Sequence, residues 1–253
     1  MARVDERLRP VPVVATFART VQPVADVLGL YAGGSLASGD FQPGRSDLDL
    51  VAVVADDLDE PTRERLVALH RGLRHADPTA RGLHCVYVPR RDVHDVAAEH
   101  LTWAHGELYR RALSGIARAE LLQGGITVLG PCPAQFLPPV DDAALRAAAR
   151  AELTGYWAGA VRKPLLWLRD GYVDLGLITL ARAEATLTEG RLTTKREALT
   201  RLHRFGVDQD LSEQIARRRY GHPTHLTAPQ RLRRAYTVRR SVARGIRTLS
   251  RSR

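Results

Sequence analysis

The chain contains no asparagine, only two lysines (Lys163 and Lys195) and only two cysteines (Cys85 and Cys132) in 253 residues. Two thiols exclude a disulfide framework, and both read as small hydrophobes packed in the interior. The nine histidines show no zinc-type spacing with those cysteines. No apolar run approaches the ~18–20 residues that a membrane-spanning helix needs. The opening MARVDERLRP lacks the apolar core of a secretion signal, so a cytoplasmic location without membrane contact is expected. A P-loop and a G-x-G-x-x-G fingerprint are also absent.

What is present describes an ordinary globular chain. With 44% hydrophobic and 26% charged residues, it can bury a sizeable core in one large domain or two modest ones. The formal net charge is +10, carried almost wholly by arginine. The scarcity of lysine and asparagine has the look of a GC-rich genome, so part of the arginine excess is compositional. The excess still sets a field that attracts nucleotides, nucleic acid and acidic lipid and repels polycations.

The first half alternates helical and strand-like stretches. Residues 11–28 are apolar at helical spacing, with a short run at 30–32 before Gly33. Residues 48–54 form a dense run of β-branched residues and leucine, which predicts a buried strand. Pro61 suits a helix start, with Leu66, Leu69 and Leu73 as its stripe. Residues 83–88 predict another strand, 114–123 a helix and 126–129 a last apolar segment. A proline-rich break (Pro131, Pro133, Pro138, Pro139) follows, and the remainder is helical. Asp142 is placed to cap a helix with Leu145, Ala149, Leu153, Tyr156 and Ala160 on one face. A long helix over 173–187 stops at Gly190, and Thr194 with Glu197 forms a capping box. The tail is basic and amphipathic, with Leu232, Ala235, Val238, Val242, Ile246 and Leu249 in one stripe.

Chemistry concentrates in Gly33-Gly34-Ser35 and, twelve residues after Ser35, Asp47 within Ser46-Asp47-Leu48-Asp49-Leu50. Along a strand, i and i+2 share a face, so Asp47 and Asp49 project together about 6–7 Å apart. A buried pair of like charges is costly unless a cation neutralises it. Mg²⁺ suits that role, because it takes oxygen ligands and completes its shell with water and phosphates. The Gly34–Ser35 turn offers backbone N–H groups and a hydroxyl to phosphate oxygens.

These motifs resemble the signature of the polymerase-β-like nucleotidyltransferase superfamily and, within it, of the streptomycin/spectinomycin adenylyltransferases. Residues 177–182 and 190–195 resemble a segment of the second domain of those enzymes. The resemblance implies an α+β protein. An N-terminal α/β nucleotidyltransferase domain with a small mixed sheet (1–130) would lead through a proline-rich linker (131–140) to an all-α helical bundle (141–253). It implies transfer of AMP from ATP to a hydroxyl of a small molecule such as an aminoglycoside or aminocyclitol, with Mg²⁺ as cofactor and release of pyrophosphate. Asp47 and Asp49 would hold the metal, and Gly34, Ser35 and Ser46 would contact phosphates. Arg182 and Lys195 would reach across a domain cleft to the nucleotide; an exposed, solvated lysine at a helix start is the plainer reading of Lys195.

Three departures accompany the resemblance. Where the family carries a glutamate as catalytic base, this chain has His84. Either its neutral imidazole accepts the hydroxyl proton, or that step is weak or lost. The position of the family's drug-contacting tryptophan falls near Leu108 or Tyr109, with Trp103 out of register. The acids that would meet the drug are Asp170 and Asp174, which share a helical face at i and i+4 or else are simple surface acids. Two other readings remain open. The basic tail, from Arg231 to Arg251, could direct nucleotidyl transfer to an RNA or protein hydroxyl. Alternatively, the missing carboxylate could mark a nucleotide-binding homologue without activity.

Overall fold

The computed structural model describes residues 5–251. These fall into two compact units, one ending at Val140 and one beginning at Asp141.

The first unit is built on a six-stranded mixed sheet. Its elements are α1 (Pro12–Ala25), β1 (Val27–Ala32), α2 (Gly34–Ala37), β2 (Leu48–Val54), α3 (Glu60–Ala76), β3 (Leu83–Pro89), β4 (Glu99–Ala104), β5 (Glu107–Ala112), α4 (Gly115–Gly124) and β6 (Ile126–Leu129). The strand order is β5-β4-β3-β2-β1-β6. Only β2 and β3 run parallel, and α3 supplies the crossover that a parallel pair requires. The predicted helix over 11–28 ends early, because Asp26 turns left-handed (φ 44°) and releases Val27 into β1. That strand is accordingly longer than the 30–32 run suggested.

The β4–β5 hairpin was not expected. Its turn, His105-Gly106, has φ of 56° and 94°, the pair of positive values that a two-residue type I′ turn needs. No residue of β5 is fully buried, so it shows no alternation to reveal it.

One sheet face packs Leu48, Leu50, Cys85 and Tyr87 against Phe17 and Val21 of α1 and Leu66 of α3. His70 of α3 lies inside this layer, stacked on Trp103 (4.6 Å, 7°) with Nε2 2.7 Å from the Tyr87 hydroxyl. Burial pushes its pKa down to about 3. Trp103 is therefore a core residue. The opposite face packs Tyr31, Val51, Val53, Val86 and Val88 with Leu121 of α4 and Leu137. The proline-rich segment thus contributes a core side chain to the first unit. Cys85 is buried as expected, whereas Cys132 is exposed, because the segment carrying it runs over the surface.

The second unit is helical: α5 (Asp142–Glu152), a π-helical turn (Leu153–Trp157), α6 (Ala158–Val161), a 3-10 turn (Pro164–Leu168), α7 (Asp170–Glu189), α8 (Lys195–Arg201), α9 (Gln209–Arg219) and α10 (Ala228–Arg251). The cap of α5 is Asp141, which accepts from the Ala144 N–H at 2.7 Å; Asp142 is the first helical residue. The π turn adds a residue to the helical repeat, so the buried position moves from Tyr156, 60% exposed, to Trp157, 2% exposed. The Thr194–Glu197 capping box is present, and Gly190 (φ 67°) ends α7. Ala235, Val238, Val242, Ile246 and Leu249 of α10 are buried, while Leu232 is exposed. Among the described residues, no helix is long and apolar enough to cross a membrane.

Candidate active site

Register builds the site. Asp49 on β2 lies opposite His84 on β3 in the parallel pair, and Asp47 precedes β2 by one residue. The His84 ring fits between the two carboxylates, with Nε2 4.0 Å from Asp47 Oδ1 and Nδ1 3.9 Å from Asp49 Oδ1. The two acids therefore converge on one ring. Their side chains are 57% and 52% exposed, against 9% for His84. This corrects the expectation of a costly buried pair. In water-like surroundings two carboxylates about 6–7 Å apart repel by only about 1 kcal/mol, so the fold tolerates them without a counter-ion.

The Gly33-Gly34-Ser35 turn is tied to the same strand. The Gly33 N–H donates to Asp49 O at 2.8 Å. Gly34 has φ 58°, and a Cβ there would overlap the Asp49 carboxylate. Glycine is thus required twice over, by backbone conformation and by space. Ser35 follows in α2, half-buried. Ser46 Oγ accepts from the Gln42 N–H at 3.0 Å, which closes the turn before Asp47. Beside that turn lies a cleft of about 290 Å³ whose lining includes Phe41, Arg45, Ser46, Asp47 and Arg81.

His84 has a second ring against it. His105, in the β4–β5 turn, lies edge-on at 4.7 Å and 69°. Burial is the main influence on His84 and pushes its pKa below the ordinary histidine value; Asp47 opposes this, while His105, Arg111 and Arg74 reinforce it. The imidazole is therefore neutral and able to accept a proton. Tyr109 pairs with Thr102, which pairs with Val86, so strand alternation puts it on the His84 face of the sheet. Sequence reasoning missed His105, Arg74 and Arg111. Only the His-Gly dipeptide, a weak turn signal, pointed to the first of them.

The remaining candidates belong to the second unit. Arg182 Nε donates to Thr193 O at 2.6 Å, which brings α7 to the corner where Lys195 opens α8. Asp170 and Asp174 are both engaged within the unit. Arg234 donates to Asp170 at 2.5 Å, and Arg218 forms a fork on Asp174 at 2.8 and 2.5 Å. Burial pushes the Asp174 carboxyl up, and the Arg218 fork opposes that push.

Two carboxylates with room for water and phosphate oxygens match the donor set that Mg²⁺ takes. Among the described residues, no group of three or more His, Cys, Asp or Glu side chains could hold a metal, so the donor set is not that of a closed protein cage.

Residues 14–100, which span α1 to β4, match the family model described as a nucleotidyltransferase domain. The chain carries a nucleotidyltransferase domain. That domain makes it a transferase by class. In fold, the chain is similar to the crystal structure of spectinomycin adenyltransferase AAD(9) from Enterococcus faecialis with ATP and spectinomycin. The TM-score is 0.70 at 16% identity, over 95% of this chain and 100% of that one. No curated protein matches the chain in sequence. The nucleotidyltransferase domain contains Gly34, Ser35, Ser46, Asp47, Asp49 and His84, whereas His105 and Tyr109 lie just beyond the matched residues.

Proposed function

We propose that the chain transfers AMP from ATP to a hydroxyl of a small molecule, an aminoglycoside or aminocyclitol, with release of pyrophosphate. The observation that carries this reading is the convergence of Asp47 and Asp49 on His84 beside the Gly33-Gly34-Ser35 turn. The similar fold of an adenyltransferase solved with ATP and spectinomycin supports it.

Asp47 and Asp49 would hold Mg²⁺, whose charge offsets that of the phosphates when bound. The backbone N–H groups and hydroxyl of Gly34–Ser35 orient phosphate oxygens, assisted by Ser46. His84, neutral through burial, takes the proton of the acceptor hydroxyl. The oxygen then bonds to the α-phosphorus, and the bond from that phosphorus to the bridging oxygen breaks in line. To Arg182 and Lys195 we assign the charge of the departing pyrophosphate.

One observation favours a second class of acceptor. Asp170 and Asp174, expected to meet the amines of a cationic drug, are already paired with Arg234 and Arg218. The formal net charge of +10 also repels a polycation. A neutral or acidic hydroxyl compound meets neither obstacle.

The test is transfer of label from α-labelled ATP in the presence of Mg²⁺ to a panel of aminocyclitols, neutral polyols, acidic hydroxyl compounds, RNA and protein. Transfer to an aminocyclitol is the expected result. Asp47→Asn and Asp49→Asn are expected to abolish transfer while leaving stability within about 0.5 kcal/mol, as for other exposed positions. Full activity in either variant would remove these carboxylates from the reaction.

A further inference from the structure

We infer that His105 is a positioning residue for the nucleotidyl-transfer reaction, holding the His84 imidazole at its working angle between Asp47 and Asp49. This rests on the function proposed above and adds a residue from outside the matched domain segment.

Three observations carry it. First, the carboxylates flank the His84 ring at 3.9 and 4.0 Å, beyond direct hydrogen-bond distance. Second, the ring that does make contact is that of His105, edge-on at a centroid separation of 4.7 Å. An aromatic edge set against a neighbouring ring resists rotation of that ring about its χ2 bond, which is otherwise broad. Third, His105 is exposed and held at φ 56°, the left-handed conformation that the first position of this type I′ turn requires, so the turn fixes the backbone from which its ring reaches His84.

The hairpin is built to deliver this ring. Gly106 continues the turn at φ 94°, and the space a Cβ would fill there is taken by the Arg74 guanidinium from the last turn of α3. The turn is therefore braced from the side of α3 while His105 leans on His84. The titratable and charged groups that act on His84 are Asp47 and Asp49 from β2 and its approach, His105 from the turn, Arg111 from β5 and Arg74 from α3.

Two substitutions separate positioning from turn formation. His105→Asn keeps the turn, because Asn-Gly is the favoured type I′ pair, and removes the ring. His105→Phe keeps an aromatic edge. In the Asn variant, kcat is expected to fall by at least about tenfold with KM for ATP unchanged and Tm not lowered, and the Phe variant to recover to within about threefold of wild type. The ¹⁵N-labelled imidazole signals of His84 are expected to shift and broaden in the Asn variant and to return in the Phe variant. Wild-type kcat together with unchanged His84 signals in His105→Asn would overturn the inference. If the wild-type chain transfers no nucleotide to any acceptor, the proposed function fails, while the ring signals still decide whether His105 orients His84.

Discussion

At the scale of single residues, the site depends on one glycine and one histidine. Gly34 lies so close to Asp49 that a Cβ would overlap the carboxylate, at a φ that L-residues adopt at a cost of about 1–2 kcal/mol. Gly34→Ala is therefore expected to displace Asp49 and lower kcat by about 10²-fold, an effect of the size a misplaced reacting group produces, with the fold retained by circular dichroism. For His84, the general-base role proposed above sets the scale. His84→Ala is expected to lower kcat by about 10²–10⁴-fold, and His84→Glu, which restores a carboxylate at the same register position, to retain more activity than the alanine variant. Steady-state kinetics on the three proteins checks the order; equal activity of all three would take His84 out of the proton transfer. Asp47 and Asp49 were legible because their relation is local, two residues apart at the start of one strand. His105 was not, because nothing near it in the chain announces the ring it touches twenty-one residues away.

At the scale of elements, the arginines of α9 and α10 decide what the acids of α7 do. Arg218 is nearly buried and forms its fork on Asp174, while Arg234 is paired with Asp170. Removing the carboxylate from a buried pair leaves a charge without its partner, so Asp174→Asn is expected to destabilise the chain by about 3–5 kcal/mol. Urea unfolding measures this. An unchanged midpoint combined with a higher KM for the acceptor would instead give Asp174 the substrate-binding role the family resemblance implies. The i, i+4 spacing of Asp170 and Asp174 was visible in the sequence, but their partners lie 44 and 64 residues away and left no local trace. The π turn is similar. An α-helical count from Leu145 points to Tyr156, and only packing shows that the extra residue brings Trp157 inward.

At the scale of the whole molecule, His70 makes stability depend on pH. It is neutral in the fold down to about pH 3, whereas the unfolded chain protonates it near the ordinary value of 6.5. Between those values the unfolded state binds more protons, so stability falls as pH decreases. From pH 6.5 to 5 this one group contributes a loss of about 2 kcal/mol. His70→Phe removes the imidazole partner of the Tyr87 hydroxyl and lowers stability at neutral pH, but it removes this dependence. Urea midpoints at pH 7 and pH 5 are expected to differ less in the variant than in the wild type. Equal differences would show that the buried imidazole takes up its proton in the fold.

The sequence by itself determined what nearest-neighbour geometry controls. The run 48–54 read as a buried strand, Thr194 and Glu197 as a helix cap, and the Gly-Gly-Ser and Asp-x-Asp motifs as the candidate site for nucleotidyl transfer. Strand alternation, helix capping and glycine torsions act over a few residues, so the pattern is complete within the segment. Tertiary structure alone decided which groups meet: His84 with His105, Asp174 with Arg218, and a mostly exposed β5 pairing with β4. Those outcomes depend on which distant segments the folded core brings within a few ångströms of each other, and through-space proximity of that kind is not written into any short stretch of chain.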